Sequence, residues 1–248
     1  MKEPPEPPGR GDRQDDVPII AKQRERETIT PKQLLYEVKG IYAGLKMVEA
    51  KCVEVCEKQA SLAKTMEQVG LKPPRLTNEQ WQALIALHRT LLHEHHDFFL
   101  ASQHPASPTP LQRLAAKYSM TARMWRHGVH SFLELLRHHL PHSLEHMLTF
   151  IYLAYSIMAL LYETVPAFED TWIECLGDLG RYRMAIEDNA EDREDWNDVA
   201  RSWYSKAADK RPTVGLLYHH IAVATPNVLQ QLFFYSKSLT VGQPFPPA

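Results

Sequence analysis

The sequence TWIECLGDLGRYRMAIED at Thr171–Asp188, followed by WNDVARSWYSKAADKRP at Trp196–Pro212, decides the fold because it carries a helical-repeat signature. A tetratricopeptide unit needs small residues where its two helices meet, an aromatic residue that fills the space between them and a proline that ends the second helix. Those roles fall on Leu176-Gly177 in the first helix and on Ala200, Tyr204, Ala207 and Pro212 in the second. The spacing predicts a helical hairpin, and a hairpin of no special kind is the alternative that it leaves open.

A second and weaker unit follows, with Tyr218, Ile221 and Ala222 in its first helix and 233–239 as its second. Between the helices of the first unit, we predict that the acidic stretch 187–198 is a solvated loop that lengthens the turn. The remaining segments show apolar residues at helical spacing, broken by prolines, and none alternates as a strand would. The fold class predicted from the sequence is therefore all-α.

The N-terminal residues 1–30 differ from the rest of the chain. They are rich in proline, carry charges of both signs and lack the apolar run of a signal peptide, so we expect a disordered tail. Helical patterning begins after Thr30 and again after Thr77, both of which are suited to capping a helix. We predict a single helical domain over residues 31–248.

A basic stripe is predicted on the helix 121–138. Arg123, Arg126, His127 and His130 recur at offsets of three, four and seven, away from an apolar side that includes Trp125 and Phe132. A solvated helix face is the simpler interpretation of such a stripe. Contact with an anionic partner is the alternative.

Two further features invite functional hypotheses that the sequence does not favour. His88, His93, His95 and His96 lie on one helix, but zinc needs about four well-placed ligands, so we interpret them as a solvated face and expect no metal. The apolar stretch 147–162 is shorter than the ~20 residues that a membrane span requires. We therefore expect a helix buried on most sides inside the domain and no contact with a membrane.

Composition and missing motifs exclude several classes of protein. The net charge of −2 gives no overall attraction to nucleic acid. Cys52, Cys56 and Cys175 form no CxxC pair, which indicates a reduced, intracellular protein, cytoplasmic or nuclear. No glycine-rich phosphate loop, GxSxG or HExxH motif is present, so we expect neither an enzyme nor a cofactor.

Motifs beyond the repeat signature suggest a family. LGDLGRYR, ARSWYSKAADKRPTVGLLYHHIA and FFYSKSLTVGQPFPPA occur in this order, and RMWRHGVHSFLELLR lies upstream. Over roughly residues 78–248, the chain resembles a fungal-type member of the Est1-type family, which includes telomerase-associated Est proteins and the SMG adaptors of nonsense-mediated mRNA decay. The resemblance implies an antiparallel helical array, 14-3-3-like with tetratricopeptide-type hairpins.

The resemblance also implies a phosphoserine site. The family's first phosphate ligand, the first arginine of Arg-Tyr-Arg, falls on Arg181, and Tyr182 follows it. The second ligand, a lysine in the family, falls on His130, which is only partly charged at neutral pH. Arg126, one turn earlier on the stripe that also holds Arg123, could supply that charge, since a guanidinium binds phosphate through two hydrogen bonds.

One more family position concerns the backbone of the phosphorylated peptide that the family binds. The asparagine that would hold the peptide backbone falls on His219, a second departure from the family pattern. An ion pair between Asp178 and Arg181, three residues apart on one helix, is the structural alternative to the phosphate site.

The function that the sequence predicts is a non-catalytic adaptor in RNA surveillance. By resemblance, its partner would be a phosphorylated protein, the RNA helicase of nonsense-mediated decay or a similar factor. One alternative is an Est1-type telomerase- or telomere-associated protein that binds RNA or telomeric DNA through the stripe at Arg123 and Arg126. The other is a helical scaffold that has lost the phosphate site.

Overall fold

The computed structural model describes residues 29–71 and 75–246, and within these ranges the chain is all-α. The predicted fold class is confirmed. An isolated bridge between Val214 and Gln243 is the one β-type pairing in this part of the chain. The predicted tail lies outside the described residues, except for Ile29 and Thr30.

The helices follow one another with short connections. In chain order they are α1 (Pro31–Gln68), α2 (Asn78–Ser102), α3 (Thr109–Gln112), α4 (Leu114–Lys117), α5 (Met120–Arg123), α6 (Ser131–His138), α7 (Leu144–Thr164), α8 (Glu169–Ala185), α9 (Ala190–Lys210), α10 (Gly215–Val223) and α11 (Val228–Thr240). A π-helical segment, Met124–His130, joins α5 to α6, and a 3₁₀ turn, Pro166–Phe168, precedes α8.

The first two helices start where the sequence predicts. The backbone N–H of Gln33 donates to Thr30 Oγ1 at 3.3 Å, and the N–H of Thr30 donates to Gln33 Oε1 at 2.8 Å. Thr77 and Gln80 exchange the same pair of bonds, at 2.9 and 3.3 Å. Such a capping box satisfies N–H groups that the first helical turn leaves unpaired, so both starts are fixed locally.

The core consists of two buried clusters that share α8. The larger one joins α1, α2 and the segments from α5 to α8, and its rings meet edge to face, as at Phe99 and Trp172, whose centroids are 5.2 Å apart at 78°. The smaller one lies between α8, α9 and α10 around the buried ring of Tyr204. Because Trp172 and Ile173 of α8 enter different clusters, α8 connects the two halves of the molecule.

Helices α8 and α9 approach closely at two glycines. A Cβ atom at Gly177 would lie 2.8 Å from the ring of Tyr204, and one at Gly180 would lie 3.3 Å from the backbone of Ala200. A larger side chain at Gly177 would require the Tyr204 ring or α9 to move, and one at Gly180 would require a small shift of α9. The residues that carry the repeat signature therefore lie at the contact between the two helices.

The prediction of a loop over residues 187–198 is wrong, because α9 already begins at Ala190. The side chain of Asn189 caps this helix by accepting a bond of 3.0 Å from the backbone N–H of Glu191. Glu191 and Asp192 occupy the first turn, where negative charge is favoured by the helix dipole. The acidic composition that suggested a solvated loop thus stabilises a helix N-terminus.

Helix α7 has the length and the mean hydropathy, 1.5, of a segment that could cross a membrane, and it is the one such helix in the described ranges. It packs against α2, α6 and α8 and buries Phe150, Ala154 and Met158 completely. Its opposite side keeps Tyr152 and Leu160 exposed, at 49% and 44%. Helix α7 therefore has one buried face and one exposed face, on which these two residues alternate with the polar Thr149, Ser156 and Glu163.

Candidate functional site

The predicted basic stripe lies on a helix whose middle is π-helical. A π-helix bonds residue i to residue i+5, so residues four apart no longer lie directly above one another as they do in an α-helix. Gly128 lies at the centre of this segment, where a Cβ would come within 3.0 Å of Leu92 Cδ2. Its carbonyl oxygen lies 3.0 Å from Nδ1 of His88 on α2. The π-helical segment that carries Arg126 and His130 therefore packs against α2 at Gly128.

The interpretation of the α2 histidines as a solvated face is wrong for two of them. His88 is fully buried and stacks on Phe132 with 4.3 Å between ring centroids, and burial lowers its pKa to about 4. His95 is also fully buried, Nδ1 lies 2.9 Å from the carbonyl oxygen of Leu91, and burial lowers its pKa to about 4. Both are neutral core residues at pH 7. Within the described residues, no group of His, Cys, Asp or Glu side chains is arranged to hold a metal.

Arg181 projects from α8 and is engaged on one edge only. Its Nη2 donates a hydrogen bond of 3.2 Å to Oδ1 of Asp178, and its guanidinium carbon lies 5.6 Å from the ring centroid of Tyr182. The buried Nε atom has no hydrogen-bond partner among the described residues. The side chain is 38% exposed, and Nη1 takes no part in the bond to Asp178.

Sequence reasoning missed the groups behind Arg181. The Tyr204 hydroxyl of α9 donates a bond of 2.6 Å to Asp178 Oδ1, the oxygen that also accepts from Arg181. His220 of α10 stacks on Tyr204, with ring centroids 4.7 Å apart and planes 13° apart. Burial lowers the pKa of His220 to about 4, so this ring is neutral at pH 7. The signal in the sequence was the aromatic residue of the repeat, which supplies a hydrogen bond as well as packing.

Tyr182 joins α8 to the predicted stripe. Its hydroxyl donates a bond of 3.0 Å to Glu134 Oε1, and its ring lies 6.5 Å from that of His130 in an edge-to-face arrangement. Burial and the Glu134 carboxylate raise the pKa of Tyr182 to about 12. Arg137 pairs with the same carboxylate, which lowers the pKa of Glu134. The structure therefore brings Tyr182 and His130 together, and Glu134 of α6 accepts a hydrogen bond from Tyr182 of α8.

The two arginines of the stripe have different environments. Arg126 is exposed and makes no hydrogen bond or ion pair with any described residue. Arg123 instead pairs with Glu49 of α1, with four distances of 2.9 to 3.2 Å between its Nε and Nη2 atoms and the two carboxylate oxygens. Its guanidinium carbon lies 5.7 Å from the ring centroid of Tyr42. Arg123 thus bridges two helices, whereas Arg126 keeps its charge available.

His219 lies on α10, between the C-terminal elements and the groups behind Arg181. Its ring lies 5.5 Å from that of Tyr235 on α11, 4.8 Å from that of Phe245 and 5.9 Å from that of His220 between centroids. The segment containing Phe245 crosses the start of α10, where the N–H of Gly215 donates a bond of 2.8 Å to the carbonyl of Gln243. A Cβ at Gly215 would lie 2.2 Å from a backbone oxygen, so only glycine allows this crossing. The contact with His220 links His219 indirectly to Arg181, because His220 stacks on Tyr204, which shares the Asp178 carboxylate with Arg181.

The second arginine of the Arg-Tyr-Arg motif is structural. Arg183 is 9% exposed, pairs with Glu187 and lies 5.5 Å from the ring centroid of Trp196 on α9. Arg183 therefore connects the end of α8 to the first half of α9. Only the first arginine of the motif is accessible to a ligand.

The groups around Arg181 combine hydrogen-bond donors with two carboxylates. Arg181 supplies donors, and Tyr182 next to it contacts His130 of the predicted stripe, whereas no hydrogen bond or ion pair of the described residues connects Arg126 to them. Asp178 and Glu134 are the internal carboxylates that already engage these donors. An incoming phosphate would have to compete with Asp178 for Arg181, which makes the affinity of the site depend on that pair.

Comparison with known proteins gives one similarity. The chain is 28% identical over 154 residues, 60% of its length, to EST/SMG-like protein 2 of Saccharomyces cerevisiae, and the aligned part spans 12% of that protein. No protein-family model matches the chain. No solved structure shows a significant match to it. The similarity supports an Est1/SMG-like family.

Proposed function

We propose that the chain is a non-catalytic adaptor that binds a serine-phosphorylated protein partner in RNA surveillance of the nonsense-decay kind. The observation that carries the proposal is that the Arg181 side chain is 38% exposed and uses Nη2 for its bond to Asp178, which leaves Nη1 outside that pair. An anion could accept a charge-assisted hydrogen bond from this donor. The similarity to an EST/SMG-like protein supports the same assignment.

The ligand would be held by charge-assisted hydrogen bonds. A phosphate dianion is bound best by a guanidinium that presents two parallel N–H groups, and Nη1 of Arg181 takes no part in the bond to Asp178. Arg126 is an exposed cation of the predicted stripe, and the ring of His130 from the same stripe lies 6.5 Å from that of Tyr182. The partner we propose is the RNA helicase of nonsense-mediated decay or a related factor, in the cytoplasm or the nucleus.

The deciding experiment is a fluorescence anisotropy titration with a serine-phosphorylated helicase peptide and with its unphosphorylated form. We expect binding of the phosphorylated peptide only, and its loss in Arg181→Glu. Arg201→Glu is the matched control, because Arg201 also pairs with an aspartate three residues earlier, at 2.6 Å from Asp198, but lies on α9. Equal binding of both peptides, or equal effects of both substitutions, would contradict the proposal.

Two alternatives give different results in the same titration. An Est1-type protein that binds RNA or telomeric DNA would bind an oligonucleotide with an affinity that falls steeply as salt rises, and Arg126→Glu would weaken it. A scaffold without a phosphate site would bind neither probe. The pair between Arg181 and Asp178 and the pair between Arg123 and Glu49 are the observations that favour the scaffold.

A further inference from the structure

The last helix, α11, exposes an apolar face that no other described element covers. Val228, Leu229, Leu232 and Phe233 are exposed by 74%, 77%, 62% and 58%. They lie at the spacing of one side of a helix. Ser238 is the one residue of α11 that is fully enclosed by the rest of the described structure. A soluble surface seldom carries so many neighbouring exposed apolar side chains without a partner.

A groove runs beside this face between α9 and α11. The α9 wall is polar and includes Asp198, Arg201, Ser202 and Ser205, whereas Leu229, Phe233 and Phe234 form the α11 wall. The groove encloses about 790 Å³, which is enough for several side chains of a helix laid along it. Its shape and its one apolar wall suit an amphipathic helix, whose apolar side would face α11.

The charge at one end of the groove indicates which kind of helix would bind. Glu191, Glu194 and Asp195 precede Asp198 at offsets of seven, four and three, so they extend the polar wall towards the N-terminus of α9. All four are exposed, and the first three form no ion pair with a described basic residue. Partners whose charge complements this acidic rim bind faster and more specifically than others.

We propose that the groove between α9 and α11 docks a basic amphipathic helix of a partner protein. Its apolar residues would cover Leu229 and Phe233, and its lysines or arginines would face Asp198 and the acidic residues before it. A second copy of this chain is disfavoured, because contact through α11 would bring two acidic rims together. Nucleic acid is disfavoured for the same reason. This surface is separate from the site at Arg181, so the proposal does not depend on phosphate binding.

The test uses designed peptides and the full chain. The first is a helical peptide of about four turns, with leucine on one side and lysine on the other. The second replaces every lysine with glutamate, and the third keeps the first composition in an order that breaks the apolar side. In anisotropy titrations we expect the first peptide to bind at least about tenfold more tightly than either of the others, because both an apolar anchor and complementary charge are needed.

Two variants locate the binding surface. Phe233→Glu replaces an exposed side chain, so we expect an unchanged melting temperature and at least about tenfold weaker binding of the lysine peptide. Met47→Glu is the matched control, since Met47 is 76% exposed on α1, and it should leave binding unchanged. The double charge reversal Glu194→Lys, Asp195→Lys should weaken the lysine peptide and improve binding of the glutamate peptide.

Several outcomes would overturn the proposal. Equal loss of binding in Met47→Glu and Phe233→Glu would show that the peptide binds without a defined groove. Equal affinity for the lysine and glutamate peptides would remove the role of the acidic rim. Sedimentation that shows a dimer of the chain, abolished by Phe233→Glu, would assign the face to a second copy instead.

Discussion

Tyr204 and Arg181, from adjacent helices, donate to the same oxygen of Asp178, at 2.6 and 3.2 Å. Arg181, which the sequence predicts to be a ligand, therefore shares an acceptor with Tyr204, which the repeat signature assigns to packing. Behind Arg181, the His220 ring stacks on Tyr204. Changes at the contact between α8 and α9 should therefore reach the binding site.

Gly177→Ala should destabilise the protein. The added Cβ would lie 2.8 Å from the Tyr204 ring, so α9 or the ring must move, at a cost of about 1–3 kcal/mol. Gly40→Ala is the matched control, because no atom lies within 4 Å of a Cβ at that helical position. It should be neutral or stabilise by up to about 1 kcal/mol, since alanine favours a helix. Chemical denaturation of both variants measures the difference, and equal free energies of unfolding would contradict the close contact.

Arg123→Ala should affect stability and leave ligand binding unchanged. Arg123 and Glu49 are 22% and 14% exposed, so removal of one partner leaves a poorly solvated charge and should cost about 2–4 kcal/mol. Arg137→Ala removes a pair in which Arg137 is 52% exposed, and should cost about 1 kcal/mol or less. Thermal unfolding compares the two. If Arg123→Ala instead weakened an anionic ligand without lowering the melting temperature, Arg123 would belong to the binding stripe.

Acid should destabilise the protein through its buried histidines. Burial lowers the pKa of His88 and His95 to about 4, whereas an unfolded histidine titrates near 6.5. Between these values the unfolded state binds more protons than the folded state, so stability falls as the pH is lowered. From pH 7 to pH 5 the loss should be about 2 kcal/mol for each histidine.

Variants assign this pH dependence to individual residues. His95→Gln keeps a polar side chain that does not titrate, so the change in unfolding free energy between pH 7 and pH 5 should become smaller. His93→Gln, on the exposed side of the same helix, should leave that change as it is in the unaltered protein. The same slope in all three proteins would show that His95 does not contribute to it.

The parts of the fold that sequence could predict are those set by local pattern. The caps at Thr30 and Thr77, the helical periodicity and the small residues at the contact between α8 and α9 all act over a few residues or one hairpin. Other features depend on residues far apart in the chain. Nothing near Arg123 in sequence indicates its pairing with Glu49. Nothing near His88 indicates that its ring nitrogen will contact the carbonyl oxygen of Gly128 in a π-helical segment.

The candidate site shows the same division. The motif locates Arg181 and Tyr182, and the structure adds the groups that modulate them, Asp178 with Tyr204 on one side and Glu134 on the other. The acidic composition of residues 187–198 led to a wrong prediction, since residues 190–198 form a helix where a loop was expected. Local composition cannot separate a solvated loop from an acidic helix start, because both favour exposed carboxylates.

The strongest test of the proposed function is Asp178→Asn. The amide keeps an oxygen that can accept from Tyr204 and Arg181, but it removes the negative charge that competes with a phosphate for the guanidinium. We therefore expect the phosphorylated peptide to bind more tightly, by about tenfold, the change that ~1.4 kcal/mol of lost competition produces.

Asp198→Asn is the matched control, because it makes the same change beside Arg201, away from the site. It should leave binding of the phosphorylated peptide unaltered. If Asp178→Asn weakened binding as Arg181→Glu does, Asp178 would act by holding Arg181 in position and would not compete with the ligand. If neither variant bound the peptide and the unaltered protein did not bind it either, Arg181 and Asp178 would form a structural ion pair, and the chain would be a helical scaffold without a phosphate site.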